Sequence, residues 1–160
     1  MHKGHADHGK KHSDMHYIHL AAMSAVSFVV MYLLMYSMVD SLSNIFHSWN
    51  QVYMAGMMTA SMIFIELVFM GSMYPDKKKN KFLLVLSFCV TLLFFFFTRN
   101  QTGITDKQFL RSMIPHHAGA LLMCEQTKAE NLKIAELCKE IKSGQTAEIE
   151  LMKSLLSELN

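Results

Sequence analysis

The chain has 160 residues, half of them hydrophobic, and a net charge of only +2 with histidine neutral. That length allows one or two small units and excludes a large enzyme core. The weak charge, with no arginine-rich or aromatic-basic groove motif, argues against a nucleic-acid partner. Residues 1–16 form a polar, histidine-rich start. His2, His5, His8, His12, His16 and His19 recur at spacings of three and four, which would put them on one helical face. The same stripe continues through Met23, Met31, Met35 and Met38. A loosely metal-binding tail above ordinary apolar packing is the other reading.

Residues 17–39 carry no charge. At about 1.5 Å per residue, such a helix crosses a hydrocarbon layer of roughly 30 Å. The run is too long for a signal-peptide core and lacks a small-x-small cleavage site, so no cleavable signal is expected. Residues 40–51 read as a polar loop. Residues 52–73 are a second crossing, interrupted by Glu66. Met54, Met58, Met62, Glu66, Met70 and Met73 follow one face of it. A carboxylate at membrane depth is costly and points to function, so this face is a candidate membrane path for Cu(I). Methionine packing between helices explains the same stripe. The methionine spacing and the histidine-rich start resemble the eukaryotic copper importer family. The third crossing, residues 82–98, lacks that family's Gly-x-x-x-Gly, and the loop charges predict the opposite orientation. Lys77, Lys78, Lys79 and Lys81 lie between the second and third crossings, whereas residues 40–51 hold no lysine or arginine. With Lys3, Lys10 and Lys11 before the first crossing, this predicts a cytoplasmic N-terminus and an extracytoplasmic C-terminal domain, periplasmic in a Gram-negative cell. Arg99, at the outer end of the third crossing, is a mild dissent.

After a linker at residues 99–105 the chain turns charged and amphipathic, and residues 106–160 read as a helical hairpin turning near Glu130. Thr105 and Gln108 form a capping box, Pro115 interrupts the first helix, and Asn131 caps the second. Periodicity predicts an inward seam of Phe109, Met113, His116, Ala120 and Met123 on the first helix. The facing seam is Ile134, Cys138, Ile141, Gln145, Glu148, Met152, Leu155 and Leu159. Two helices of this length cannot bury a full core alone, and two copies pairing into a four-helix bundle would solve that.

The hairpin carries the chemistry. Met113, His116 and His117 supply a thioether and two imidazoles within one stretch, ligand types that suit copper. Met123 and Met152 are further thioethers, and Gln145 and Glu148 stand across the hairpin, where Glu148 can orient a histidine. A carboxylate di-iron site is disfavoured because no Glu-x-x-His occurs. Cys124 and Cys138 oppose one another in the predicted register. They read equally as a disulfide, as soft-metal thiolates, or as two small buried hydrophobes. No CxxC or finger spacing exists, so a structural zinc site is not expected.

At Asp106, Phe109, Leu110, Met113-Ile114-Pro115-His116-His117, Ala120 and Met123, and then at Leu137, Ile141, Gln145, Glu148-Ile149 and Met152, the segment resembles the domain of unknown function 305 family. The three-crossing front half resembles that family's membrane-anchored members. The resemblance implies a ferritin-like helical bundle. It also implies a copper site drawn from Met113, His116, His117, Met123 and Met152, since some extracytoplasmic members bind copper and are associated with copper resistance. The further methionine motifs or second domain copy of many members are missing here.

The expectation is an all-α, multi-pass protein of the lipid bilayer, not an enzyme. It would be a homo-oligomer that captures, buffers or delivers Cu(I) or Ag(I) outside the cytoplasm, in exchange with a donor or acceptor protein. Alternatives are an oligomeric Cu(I) transporter using the Met54–Met73 face, or a structural protein that only dimerises.

Overall fold

A computed structural model describes the backbone of residues 4–159 and the side chains of residues 15–159; His2, His5, His8 and His12 lie outside the described side chains. The protein is all-α, with no strand among the described residues. The helices are α1 (Gly4–Leu34), α2 (Trp49–Met70), α3 (Lys77–Asn100), α4 (Asp106–Gln126) and α5 (Leu132–Glu158). Three stretches, Met15–Met38, Trp49–Met73 and Lys77–Asn100, are long and apolar enough to cross a membrane. The chain divides into two compact units: Met1–Tyr32 with Tyr53–Thr102, and Leu33–Val52 with Gly103–Asn160.

In the first unit, small residues let α2 and α3 approach. A Cβ on Gly56 would stand 2.6 Å from the Phe94 ring, and Phe64 lies against Phe88 with ring centres 5.8 Å apart. Hydroxyls in these apolar helices bond to carbonyls one turn back: Ser24 to Leu20, Thr59 to Ala55, Thr91 to Ser87 and Thr98 to Phe94. That is how polar side chains are satisfied where water is absent. The α2–α3 turn is tied by a polar knot. Tyr17 donates to Asn80 Oδ1 at 2.6 Å, and Lys79 sits 5.3 Å over the Tyr17 ring. Tyr74, buried against Leu20 and Leu67, donates its hydroxyl to Glu66 at 3.1 Å. Asp76 caps α3, accepting from Lys78 N and Lys79 N, and the bond from the Lys79 backbone is the main reason its carboxyl is held below its usual range. At the other end, α3 closes with Gln101 in the left-handed region (φ 50°), followed by Gly103 at φ 71°.

In the second unit, α4 and α5 pack as an antiparallel hairpin around Leu110, Ile114, Ala118, Leu121, Ile149, Met152 and Leu156. The predicted polar loop at residues 40–51 is part of this unit and packs on α4. Val39 and Phe46 lie against the apolar cluster, and a Cβ on Gly119 would reach within 3.4 Å of the Met38 carbonyl oxygen. Polar bonds hold the connector in place. Gln51 Oε1 accepts from Tyr36 at 2.7 Å and from Ser48 N at 3.0 Å, and Asn50 donates to Ser112 at 3.3 Å. Gln108 Oε1 accepts from Trp49 N at 3.0 Å. Gln108 is thereby engaged with the connector instead of completing a reciprocal capping box, and Thr105 caps α4 through its own hydroxyl.

Two outcomes check this packing. Ile114 is fully buried, and Ile114→Ala should lower the opening free energy of amides in α4 and α5 by about 2–5 kcal/mol, read by native-state hydrogen exchange. Glu150→Ala, on an exposed side chain of α5, should change it by about 0.5 kcal/mol or less. The second concerns pH. Burial first, then the bond to Glu66, pushes the Tyr74 phenol from 10.0 up to about 12. Between those values the folded chain keeps a proton that the unfolded chain has lost. The contribution is complete below pH 10.0 and is lost as pH rises through about 12. Alkaline unfolding titrations should therefore show the stability gap between wild type and Tyr74→Phe narrowing across that window.

Candidate metal centre

Which face α4 presents decides the site. The buried stripe is Leu110, Ile114, Ala118 and Leu121, not the predicted Phe109, Met113, His116, Ala120 and Met123. Phe109 and Met123 are exposed. The seam is turned because α4 is covered from two directions, by α5 and by the connector at Met38, Val39 and Phe46. In α5 the buried positions are Ile149, Met152 and Leu156, with Cys138, Ile141 and Gln145 half-buried above them. Glu148 is exposed, and so are Ile134, Leu155 and Leu159. The predicted seam slipped by one residue at Glu148, where counting back four from Met152 selects glutamate and counting back three selects isoleucine.

One consequence is an exchange of roles between the adjacent histidines. His116, predicted to face inward, is exposed. His117, predicted to lie at the flank, is largely enclosed, with 14% of its side chain accessible, and its Nδ1 stands 3.0 Å from Glu148 Oε2. The carboxylate approaches off the axis of an aligned hydrogen bond, and Nδ1 has no other partner. Glu148 also accepts from Gln145 Nε2 at 3.4 Å. The two imidazole rings lie 6.0 Å apart, inclined by 59°.

The five anticipated ligands take different positions: Met113 and Met152 share one apolar cluster, His117 faces Glu148, and His116 and Met123 are exposed. Met113 is half-buried against the apolar core. Met152 is a buried member of that core. Met123 is exposed, about 10 Å farther along α4 than His116. Among the described residues, no three His, Cys, Asp or Glu side chains converge on one point. Cys124 and Cys138 are both half-buried and unbridged. The neighbouring Cys138 thiol, and then burial, push the Cys124 thiol up.

The methionine face of α2 looks outward. Met54, Met58 and Met70 are exposed, and Met62 and Glu66 are half-buried. Ala55, Thr59, Ala60 and Leu67 occupy the buried face of the same helix. Glu66 is tied to Tyr74. In the N-terminal stripe, His16 meets the Tyr74 ring edge-on at 6.3 Å, and His19 is exposed.

Residues 99–159 match the model of the family described as Domain of unknown function (DUF305). An uncharacterized protein of Acanthamoeba polyphaga mimivirus is 30% identical over 139 residues, covering 85% of this chain and 90% of the viral protein. No solved structure matches the chain.

Proposed function

This chain belongs to the DUF305 family, and on that premise we propose that it is a membrane-anchored copper-binding protein whose α4–α5 hairpin takes up the ion outside the cytoplasm. The observation that carries the reading is Glu148 lying 3.0 Å from His117 Nδ1, with His116 alongside. A carboxylate at Nδ1 holds the proton there and leaves the Nε2 lone pair for a metal. His116 adds a second imidazole, and Met113 a thioether at the edge of the core. This donor set suits copper. Bound copper would supply affinity for soft ligands and the capacity to pass between binding proteins. The chain's own residues orient the imidazoles and shield one side of the ion.

A single hairpin leaves the ion half-surrounded. The outward apolar side chains Phe109, Leu151, Leu155 and Leu159 fit a second hairpin, giving a ferritin-like four-helix arrangement in which exposed Met123 can contribute across the pair. With three crossings and the basic turn at Lys77–Lys81 inside, the connector and the hairpin would both lie on the outer side, a reading supported by their membership of one compact unit. Tethered binding is favoured over transport because the α2 methionines face away from the unit's interior and Glu66 is occupied by Tyr74.

Anaerobic titration of the detergent-solubilised protein tests this. Wild type should bind Cu(I) and Ag(I) more tightly than Zn(II), and the His116→Ala/His117→Ala double variant should lose that site. Glu148→Ala should weaken it by about 10- to 100-fold. Equal Cu(I) binding at every site by wild type and the double variant would sink the proposal. In intact cells, a C-terminal epitope should be reachable by antibody without permeabilisation, and an epitope in the Lys77–Lys81 turn should not.

A further inference from the structure

The turn end of the hairpin holds a second group of donors. Cys124, near the end of α4, and Cys138, in the second turn of α5, come from facing helices and line the same cleft. Both are reduced and half-buried. They line a cleft of about 250 Å³ together with Thr127, Ala129, Ala135, Lys139 and Lys142. Cys124 lies seven residues beyond His117, about 10 Å along the helix, so this group is separate from the imidazole pair.

We propose that Cys124 and Cys138 form a second metal site, a two-thiolate clamp for one soft monovalent cation, Cu(I) or Ag(I). The number of donors selects the ion. Two sulfurs from facing helices satisfy a monovalent d¹⁰ ion, which accepts linear two-coordination. Zinc takes four ligands in a closed structural site, and among the described residues no third His, Cys, Asp or Glu completes such a set. Softness points the same way, because thiolates select Cu(I) over harder ions.

Charge balance agrees. A monovalent ion held by two thiolates carries one net negative charge. Lys142 lies near enough to Cys124 to favour its ionised form. Lys139 also lines the cleft, but its ammonium is 3.8 Å from Glu136, which leaves Lys142 as the counter-charge. No acidic side chain lines the cleft. Binding exchanges protons for metal: one monovalent cation and two thiols give the anionic bis-thiolate and two protons. Both sulfurs keep their oxidation state, so no oxidant is required. A disulfide between the same sulfurs would have to pass two electrons to an acceptor.

This site rests on its own two donors and stands independently of the imidazole site. The test uses the full-length, reduced protein in detergent without oxygen. It is titrated with Ag(I), then treated with N-ethylmaleimide and read peptide by peptide by mass spectrometry. One equivalent of Ag(I) at this site should protect Cys124 and Cys138 together, while Cys89 stays reactive. Zn(II) at the same concentration should protect neither. Cys124→Ser should remove one Ag(I) equivalent and expose Cys138. The His116→Ala/His117→Ala variant should retain protection in full, so failure at one site is distinguishable from failure at the other. The assignment is overturned if both cysteines remain labelled at saturating Ag(I). It is equally overturned if Cys138 stays protected in Cys124→Ser with helicity intact, or if the pair is recovered as a disulfide.

Discussion

Ile114 is enclosed because two partners close on α4 at once. The α5 helix covers one flank through Ile149, Met152 and Leu156, and the Met38–Phe46 connector covers another. A helix in that position has little rotational freedom, since turning it by one residue (about 100°) would bring Met113 into the space Ile114 fills. The fully buried Ile114 is the apolar anchor that such a turn would have to displace. Everything of chemical interest on the hairpin follows from this rotation. It turns His116 outward and draws His117 against Glu148. It also leaves Phe109 and Met123 on the surface and brings Cys124 opposite Cys138.

The three helices long and apolar enough to cross a membrane obey a different constraint. Hydrocarbon offers no hydrogen bonds, so backbone groups are satisfied within each helix and hydroxyls bond to the preceding turn. The polar side chains that remain are collected near helix ends. Glu66 meets Tyr74 and Tyr17 meets Asn80 beside the basic α2–α3 turn. Glu66 thus has a structural partner, and the methionines on its face lie outside the packed seam formed by Ala55, Gly56, Thr59, Ala60 and Leu67. The stripe was visible in the sequence, but the side of the helix that packs was decided by small residues that admit Phe94 and its neighbours.

Along one hairpin, two donor groups of different character are separated by two helical turns. The imidazole pair is oriented by a carboxylate and edged by a thioether. The thiol pair is flanked by lysines. The thiol pair takes one donor from each helix, and the imidazole pair on α4 is oriented by Glu148 of α5, so each depends on the hairpin register that the apolar cluster sets. The family name describes no function, and the relative in a giant virus of an amoeba carries no named activity. The chemistry on these two helices therefore bears the functional reading.

Much of this architecture is legible in the sequence. Long uncharged runs can be satisfied only as helices in lipid, so the three apolar helices followed from composition. Thr105 and Asn131 marked helix starts because their side chains meet orphan amides locally. The pairing of Cys124 with Cys138 followed from counting back from the turn. Helix rotation was not available in this way, because α4 and α5 each carry two adjacent apolar stripes and periodicity cannot say which is buried. Nor did periodicity reveal that residues 40–51, polar and loop-like, would cover α4 through Val39, Phe46, Gln51 and Asn50. Local sequence determined the helices and their ends through backbone and solvent physics. Tertiary packing decided which histidine meets Glu148, because that depends on which faces of α4 the connector and α5 together cover.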